Sequence, residues 1–342
     1  MYMKLIIDLP DELLEQIHRV NPTVSILTFI KMAVENQLHL ETETNSYYFE
    51  KFSDINSQGN KKFRELHTPV KLKKSKESVK VRQGNDIIPA FDFNKIHPIE
   101  LKYPIKDTII WGQYNKFFPI KFGLRFLCYK LSNSKESTIN LNEFQIECSK
   151  KASYMKEILE SIDKKENRKR GEKFSAGLPD NNEKSQYRYI SHFLGFRTSK
   201  GDPVGGIPTL GFAEFSNSNV GITRYGLEFA KIENPIMDIS TNSDALMSKE
   251  EQEYLLHHIK QHLPQEAKII KLVLKSISEK KNTPDSINIE LSKFEGIGEK
   301  ANTIRTGILA RSHDLGLIER ENIGIHSFYK ITNFGIDVRD SL

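Results

Sequence analysis

Several residue types able to do chemistry occur in this chain of 342 residues, but few stand at spacings that chemistry can use. Glu100-Leu101-Lys102, downstream of Asp86 and Asp92, offers carboxylates for a divalent cation and a lysine to steady a nucleophile, as phosphodiester hydrolysis requires. The interval from Asp86 to Ile110 is short and Pro-punctuated, without the flanking strands and helices of such a centre, so catalysis is the weakest reading. His258 and His262 lie one helical turn apart, a spacing that suits a metal ion. No Cys or acidic third ligand stands nearby, and a solvated or structural pair is expected. Cys128 and Cys148 form no Cys-x-x-Cys unit. Lys200-Gly201-Asp202-Pro203-Val204-Gly205-Gly206 lacks a following Gly-Lys-Ser/Thr and reads as a flexible hairpin tip, not a phosphate cradle. The chain reads as a non-enzyme with no cofactor and no metal.

What remains are clustered cations and hydrogen-bond donors, whose chemistry is the binding of a polyanion. An insertion from Lys164 to Lys184 holds Lys164, Lys165, Arg168, Lys169, Arg170 and Lys173. A helix from about Glu183 to Leu194 turns Tyr187, Ile190 and Leu194 inward and leaves Lys184, Arg188 and Tyr189 available. Phe294-Glu295-Gly296-Ile297-Gly298-Glu299-Lys300-Ala301 opens a helix carrying Lys300, Asn302, Arg305, Thr306 and Arg311, and the final hairpin holds Arg320, His326 and Lys330. Between Lys61 and Arg82, nine basic residues stand against Glu65 and Glu77, either as a solvated tether or as an arm that tracks phosphates. The net charge of +5 permits a polyanion partner without demanding one.

The elements that position these residues repeat. Ile287-Asn288-Ile289 echoes Ile139-Asn140-Leu141, and Ser312-His313-Asp314-Leu315-Gly316-Leu317 echoes Ser191-His192-Phe193-Leu194-Gly195-Phe196. Ile331-Thr332-Asn333-Phe334-Gly335-Ile336 echoes Ile222-Thr223-Arg224-Tyr225-Gly226-Leu227 in the same order. The segment from Ala267 to Arg339 reads as a helix, a short strand, a helical hairpin and a β-hairpin. That order resembles a winged helix, a fold found mostly in DNA-binding proteins and less often in protein-interaction scaffolds. The first copy, from Phe117 to about Asp238, includes a helix started by Asn142 with Gln145 three residues on. In both copies the resemblance puts the donors above on the recognition helix and the wing. Gly296-Ile297-Gly298 also resembles the hairpin of helix-hairpin-helix motifs, in which backbone N–H groups approach a phosphate.

Near the N-terminus, Lys4-Leu5-Ile6-Ile7-Asp8-Leu9 reads as a strand followed by two helices, and about forty residues resemble a ribbon-helix-helix module. If Leu5, Ile7 and Leu9 face a dimer core, Lys4, Ile6 and Asp8 face outward. Asp8 repels phosphate and Ile6 offers no hydrogen bond, so the expected role is dimerisation, with DNA contact or an isolated helical hairpin as alternatives.

The expected fold class is therefore α+β and mainly helical. A ribbon-helix-helix-like module (1–40) precedes a basic linker and irregular segment (41–110), a first winged helix with a basic insertion (111–240), a connecting helix (241–264) and a second winged helix (265–342). The resemblance implies duplex DNA as partner, in an expected homodimer with further protein partners conceivable. Its role would be that of a regulator, a mobile-element maintenance factor or the DNA-recognition subunit of a bacterial defence system. A protein-interaction scaffold is the competing reading. No apolar run approaches the roughly 20 residues needed to cross a bilayer. With no secretion signal and two isolated cysteines, the expected location is cytoplasmic.

Overall fold

The structure, a computed structural model, describes residues 87–342 except 170, 199–200, 217, 240–242 and 324–325. The expected ribbon-helix-helix module, the basic segment that follows it, Asp86 and Arg170 lie outside the described residues. Within them the chain is mainly helical with small antiparallel sheets.

The first half is built around α1 (Phe118–Ser132), a helix with 13 buried residues, so that it serves as a central post rather than as a one-sided surface helix. β1 (Ile139–Asn140) leads into α2 (Leu141–Lys165), started by the Asn140 side chain, which accepts from the Glu143 N–H at 3.0 Å. The cap is thus two residues earlier than the expected Asn142. α3 (Glu183–Tyr189) continues as a π-helical turn over Ile190–Leu194. A small ladder of β2 (Phe196–Arg197) and β3 (Pro203–Val204), a single turn α4 (Gly206–Thr209), and the hairpin β4 (Ala213–Ser216) and β5 (Asn219–Ile222) follow. The sheet order is β1-β5-β4, and α5 (Arg224–Lys231) closes the half.

α6 (Lys249–His262) joins the halves, begun by a capping box of Ser248 and Glu251. The second half comprises α7 (Pro264–Ser278), α8 (Pro284–Ser292), α9 (Ala301–Asp314), the hairpin β6 (Ile318–Ile323) and β7 (His326–Ile331), and α10 (Asn333–Ser341). Ile287 to Ile289, expected as a strand, lies inside α8, because Thr283 caps and Pro284 opens a helix just before it. The short strand-like pairing falls instead at Asn282, whose carbonyl accepts from the Tyr329 N–H at 2.9 Å.

Both hairpins end on one local device. Thr223 Oγ1 donates to Gly211 O at 2.6 Å and accepts from Gly226 N at 3.2 Å; Thr332 Oγ1 donates to Gly316 O at 2.7 Å and accepts from Gly335 N at 2.9 Å. Gly211 and Gly316 have φ of 65° and 69°, a left-handed turn that favours glycine. Gly226 and Gly335 lie so close to the carbonyls of Phe212 and Leu317 that neither has room for a side chain. The counterpart of Leu315-Gly316-Leu317 is therefore Leu210-Gly211-Phe212, not Leu194-Gly195-Phe196. Of the three sequence echoes, the Ile-Thr-x-x-Gly string alone keeps its register in space.

Residues 99–116 form a strap across both halves. Ile99 N donates to Ile222 O at 2.8 Å on the first half, and Asp107 accepts from Gln265 N at 2.9 Å at the start of α7. Ile110 N then donates to Glu266 at 2.9 Å, and Gly112 passes directly over the Thr303 and Gly307 backbone of α9. Buried ion pairs fasten the end of the strap and the helix that follows it: Lys116 to Asp314 at 2.5 Å and, from α1, Lys121 to Glu251 at 2.9 Å and Arg125 to Asp238 at 2.6 Å. The described residues accordingly belong to one compact unit. Among them, no helix is long and apolar enough to cross a membrane.

Candidate nucleic-acid interface

In the second half the surface is set by α9, which has four kinds of surroundings. Ala301, Ile304 and Ile308 enter the core, while the backbone at Thr303 and Gly307 is covered by the strap. Asn302 and Thr306 are exposed, one turn apart, with Lys300 exposed just before them. Arg305 is half-buried, its Nη1 donating to Pro284 O at 3.3 Å, so it lies along α8 and does not reach freely into solvent.

Arg311 departs from expectation altogether. It is 1% exposed, donates to Glu266 at 2.7 and 3.0 Å, and reaches the carbonyls of Ile110 and Tyr114 at 3.1 Å. A buried guanidinium needs a carboxylate and several acceptors, and here the strap and the first turn of α7 supply them. Arg311 is thus a structural cation and not a contact residue.

Ahead of α9, Gly296 and Gly298 have φ of 81° and 46°, and a Cβ built on either would meet nothing within 4 Å. The glycines serve the turn, and their surroundings are open. In the hairpin, Arg320 donates to Ser327 Oγ at 2.7 Å and is exposed on the face shared with Tyr329. Lys330 is exposed on the opposite face, paired with Glu321 at 2.7 Å and facing Glu319 across the ladder. That outward face carries two acids for one lysine.

In the first half, Lys184 and Arg188 are exposed on α3. The expected phase of their helix is corrected: Tyr189 is 2% exposed and Tyr187 is 68% exposed. The π-helical turn that follows Tyr189 widens the spiral, so Leu194 shares its inward face with Tyr189, five positions back, and with Phe193, and not with Tyr187, seven back. The Tyr189 hydroxyl donates to Pro119 O at 3.1 Å beside the buried Cys148, and burial raises its pKa well above the ordinary value. Burial also pushes the Cys128 thiol up to about 12, which leaves it unreactive as a nucleophile.

The insertion after α2 is an ordered lobe. Asp163 accepts from the N–H groups of Phe174 and Ser175 at 2.9 and 3.0 Å, from Ser175 Oγ at 2.6 Å and from Arg168 at 3.3 Å. Burial alone would raise its carboxyl pKa, but these bonds hold it below the ordinary range. Arg168 lies over the Phe174 ring, 3.7 Å from its centre, and Lys169 is exposed.

Residues not singled out in the sequence join this surface. Lys150 and Tyr154 on α2, with Asn181, Asn182, Glu183 and Gln186 at the start of α3, line a groove of about 340 Å³. Ile146, Lys150 and Tyr154 are exposed at spacings of four, a pattern visible in the sequence once the ends of α2 are known.

Of the groups considered for catalysis or metal binding, Asp92 and His258 have other partners. Asp92 accepts from Asn94 N at 2.9 Å as a cap, and Glu100 and Lys102 are exposed. His258 is buried with Nε2 2.8 Å from Leu210 O, which makes that nitrogen the protonated donor. Its pKa falls to about 4, chiefly through burial. No group of three or more metal-ligating side chains occurs among the described residues. No family model, curated protein or solved structure matches the chain.

Proposed function

We propose that this protein binds duplex DNA through two winged helices in each chain, fused by the strap and α6 into one body. The segment 1–40 would join two chains, giving up to four weak contact surfaces whose effects combine through effective concentration. The strongest support is that each half offers exposed donors on a helix that precedes its hairpin: Lys184 and Arg188 on α3, and Asn302 and Thr306 on α9. The sheet order β1-β5-β4 also agrees with a winged helix, in which the short first strand pairs with the returning wing strand. Regulation, mobile-element maintenance and the recognition step of a defence system would all use such a body.

The test is binding of the full chain to labelled random-sequence duplexes as salt is raised, followed by selection of the bound sequences. Counterion release predicts a log–log slope of about −0.9 for each phosphate neutralised. Absence of binding, or affinity indifferent to salt, would remove the proposal.

A second reading, a scaffold whose winged helices bind protein subunits, is favoured by the outward face of the last hairpin. Glu319, Glu321 and the exposed Ile323 there suit a protein surface better than phosphate. Retention of partner subunits by a chain that ignores DNA would select it.

A further inference from the structure

We infer that the insertion of the first half and the last hairpin form one phosphate-binding surface, so that a single duplex backbone is held where the two halves meet. This rests on the duplex DNA reading above and specifies which parts of the two halves act together.

Three observations carry it. The insertion is fixed in place by the four hydrogen bonds to Asp163, so its cations keep a defined position. Gly171, in the same lobe, lies directly against the Arg320 guanidinium of β6. The closeness is spatial, because Gly171 does not have a positive φ. Finally, the junction is rigid: Asp314 at the end of α9 accepts from Lys116 at 2.5 Å and from the Phe117 N–H at 3.2 Å, tying α9 to the start of α1.

The charge at this meeting point is positive. Lys164, Lys165, Lys169 and Lys173 are exposed around the lobe and Arg320 adjoins it, against Glu166, Glu172 and Glu319. His313, in the last turn of α9, feels both Glu172 and Arg320, so the reading helix of the second half ends beside the lobe of the first. A phosphate backbone running along the exposed side of α9 would meet Arg320 and then Lys169 and Lys173. Pre-positioned cations bind with little ordering cost, which is what a fixed lobe supplies.

The experiment is the salt dependence of duplex binding by the full chain carrying Lys169→Ala with Lys173→Ala, Arg320→Ala, or Gly171→Leu. Each lost phosphate contact should flatten the log–log slope by about 1, so the double lysine variant should flatten it by about 2. Gly171→Leu changes no charge, yet it displaces the flexible end of Arg320 and should flatten the slope as Arg320→Ala does. Combining those two should add nothing, and unchanged thermal unfolding would show that the fold is kept. Should Gly171→Leu fail to fold, the lysine and Arg320 variants carry the test alone. Wild-type slopes in the lysine and Arg320 variants would overturn the inference while leaving the duplex reading in place. Failure of the unaltered chain to bind any duplex would overturn both.

Discussion

Gly226 and Gly335 occupy one position twice: each follows a threonine cap by three residues and presses on the carbonyl that precedes the hairpin. The helices leading into the two hairpins share almost nothing. In the second half a 14-residue α9 runs straight into its turn, whereas the first half interposes a π-helical turn, a small ladder and the single turn α4. The contrast shows where geometry is intolerant. A two-strand return closed by a hydroxyl between two glycines admits almost no variation, while the approach to it accepts insertions at a cost that grows only slowly with length.

Removing a buried charge tests this contrast most severely. Arg311→Met should strand Glu266 without its partner and destabilise the protein by about 3–5 kcal/mol, measured by urea unfolding. Arg188→Ala, on the exposed face of α3, should alter stability by less than about 0.5 kcal/mol. Comparable stability losses in the two variants would erase the distinction between the structural Arg311 and the surface Arg188.

Acid should separate the two turns. α6 holds the first through His258 on Leu210 O and the second through Gln252 on Asp314 O at 3.0 Å, and only the histidine titrates. Unfolded, His258 takes a proton near pH 6.5, but in the fold it resists until about 4. Its contribution is therefore complete above about pH 6.5 and lost as pH falls toward 4, about 3 kcal/mol in all. Amide exchange should show the Leu210 turn loosening first as pH drops through that window, and His258→Gln should reduce the difference.

The equivalence of the two closures can be tested more finely. Gly226→Ala and Gly335→Ala should each cost about 1–3 kcal/mol in thermal or denaturant unfolding, because the added methyl meets backbone and not a yielding side chain. Thr223→Val and Thr332→Val should each cost about 0.5–2 kcal/mol through loss of the cap. A large penalty in one half with none in the other would break the structural equivalence.

Some of this was legible in the sequence because it is local. Ser248 and Glu251 state their capping box within four residues, and Ile-Thr-x-x-Gly marks both closures wherever its neighbours lie. Other features depend on partners far along the chain. Periodicity places Arg311 on a helix but does not show Glu266, 45 residues earlier, or the strap carbonyls that draw it inside. Tyr187 and Tyr189 were exchanged because spacing rules assume a uniform helix, and the π-helical turn after them is not one. Ile287 to Ile289 has strand-like composition but follows Thr283-Pro284, a helix start that the apolar spacing concealed. Residues 99–116 show no period since their bonds run to distant elements: Glu214 and Glu266 are reached only after the chain has folded back, by Lys102 N at 3.3 Å and Ile110 N at 2.9 Å.

The strap makes the two halves poor interchangeable parts. A fragment starting at α7 would lack the peptide groups that solvate Arg311 and help balance Glu266, and would lay bare the backbone of α9 at Gly307. Grafting the C-terminal half onto another protein would therefore require carrying along a ribbon encoded far upstream, from Asp107 to Lys116, whose Asp107 lies 158 positions before the Gln265 it caps.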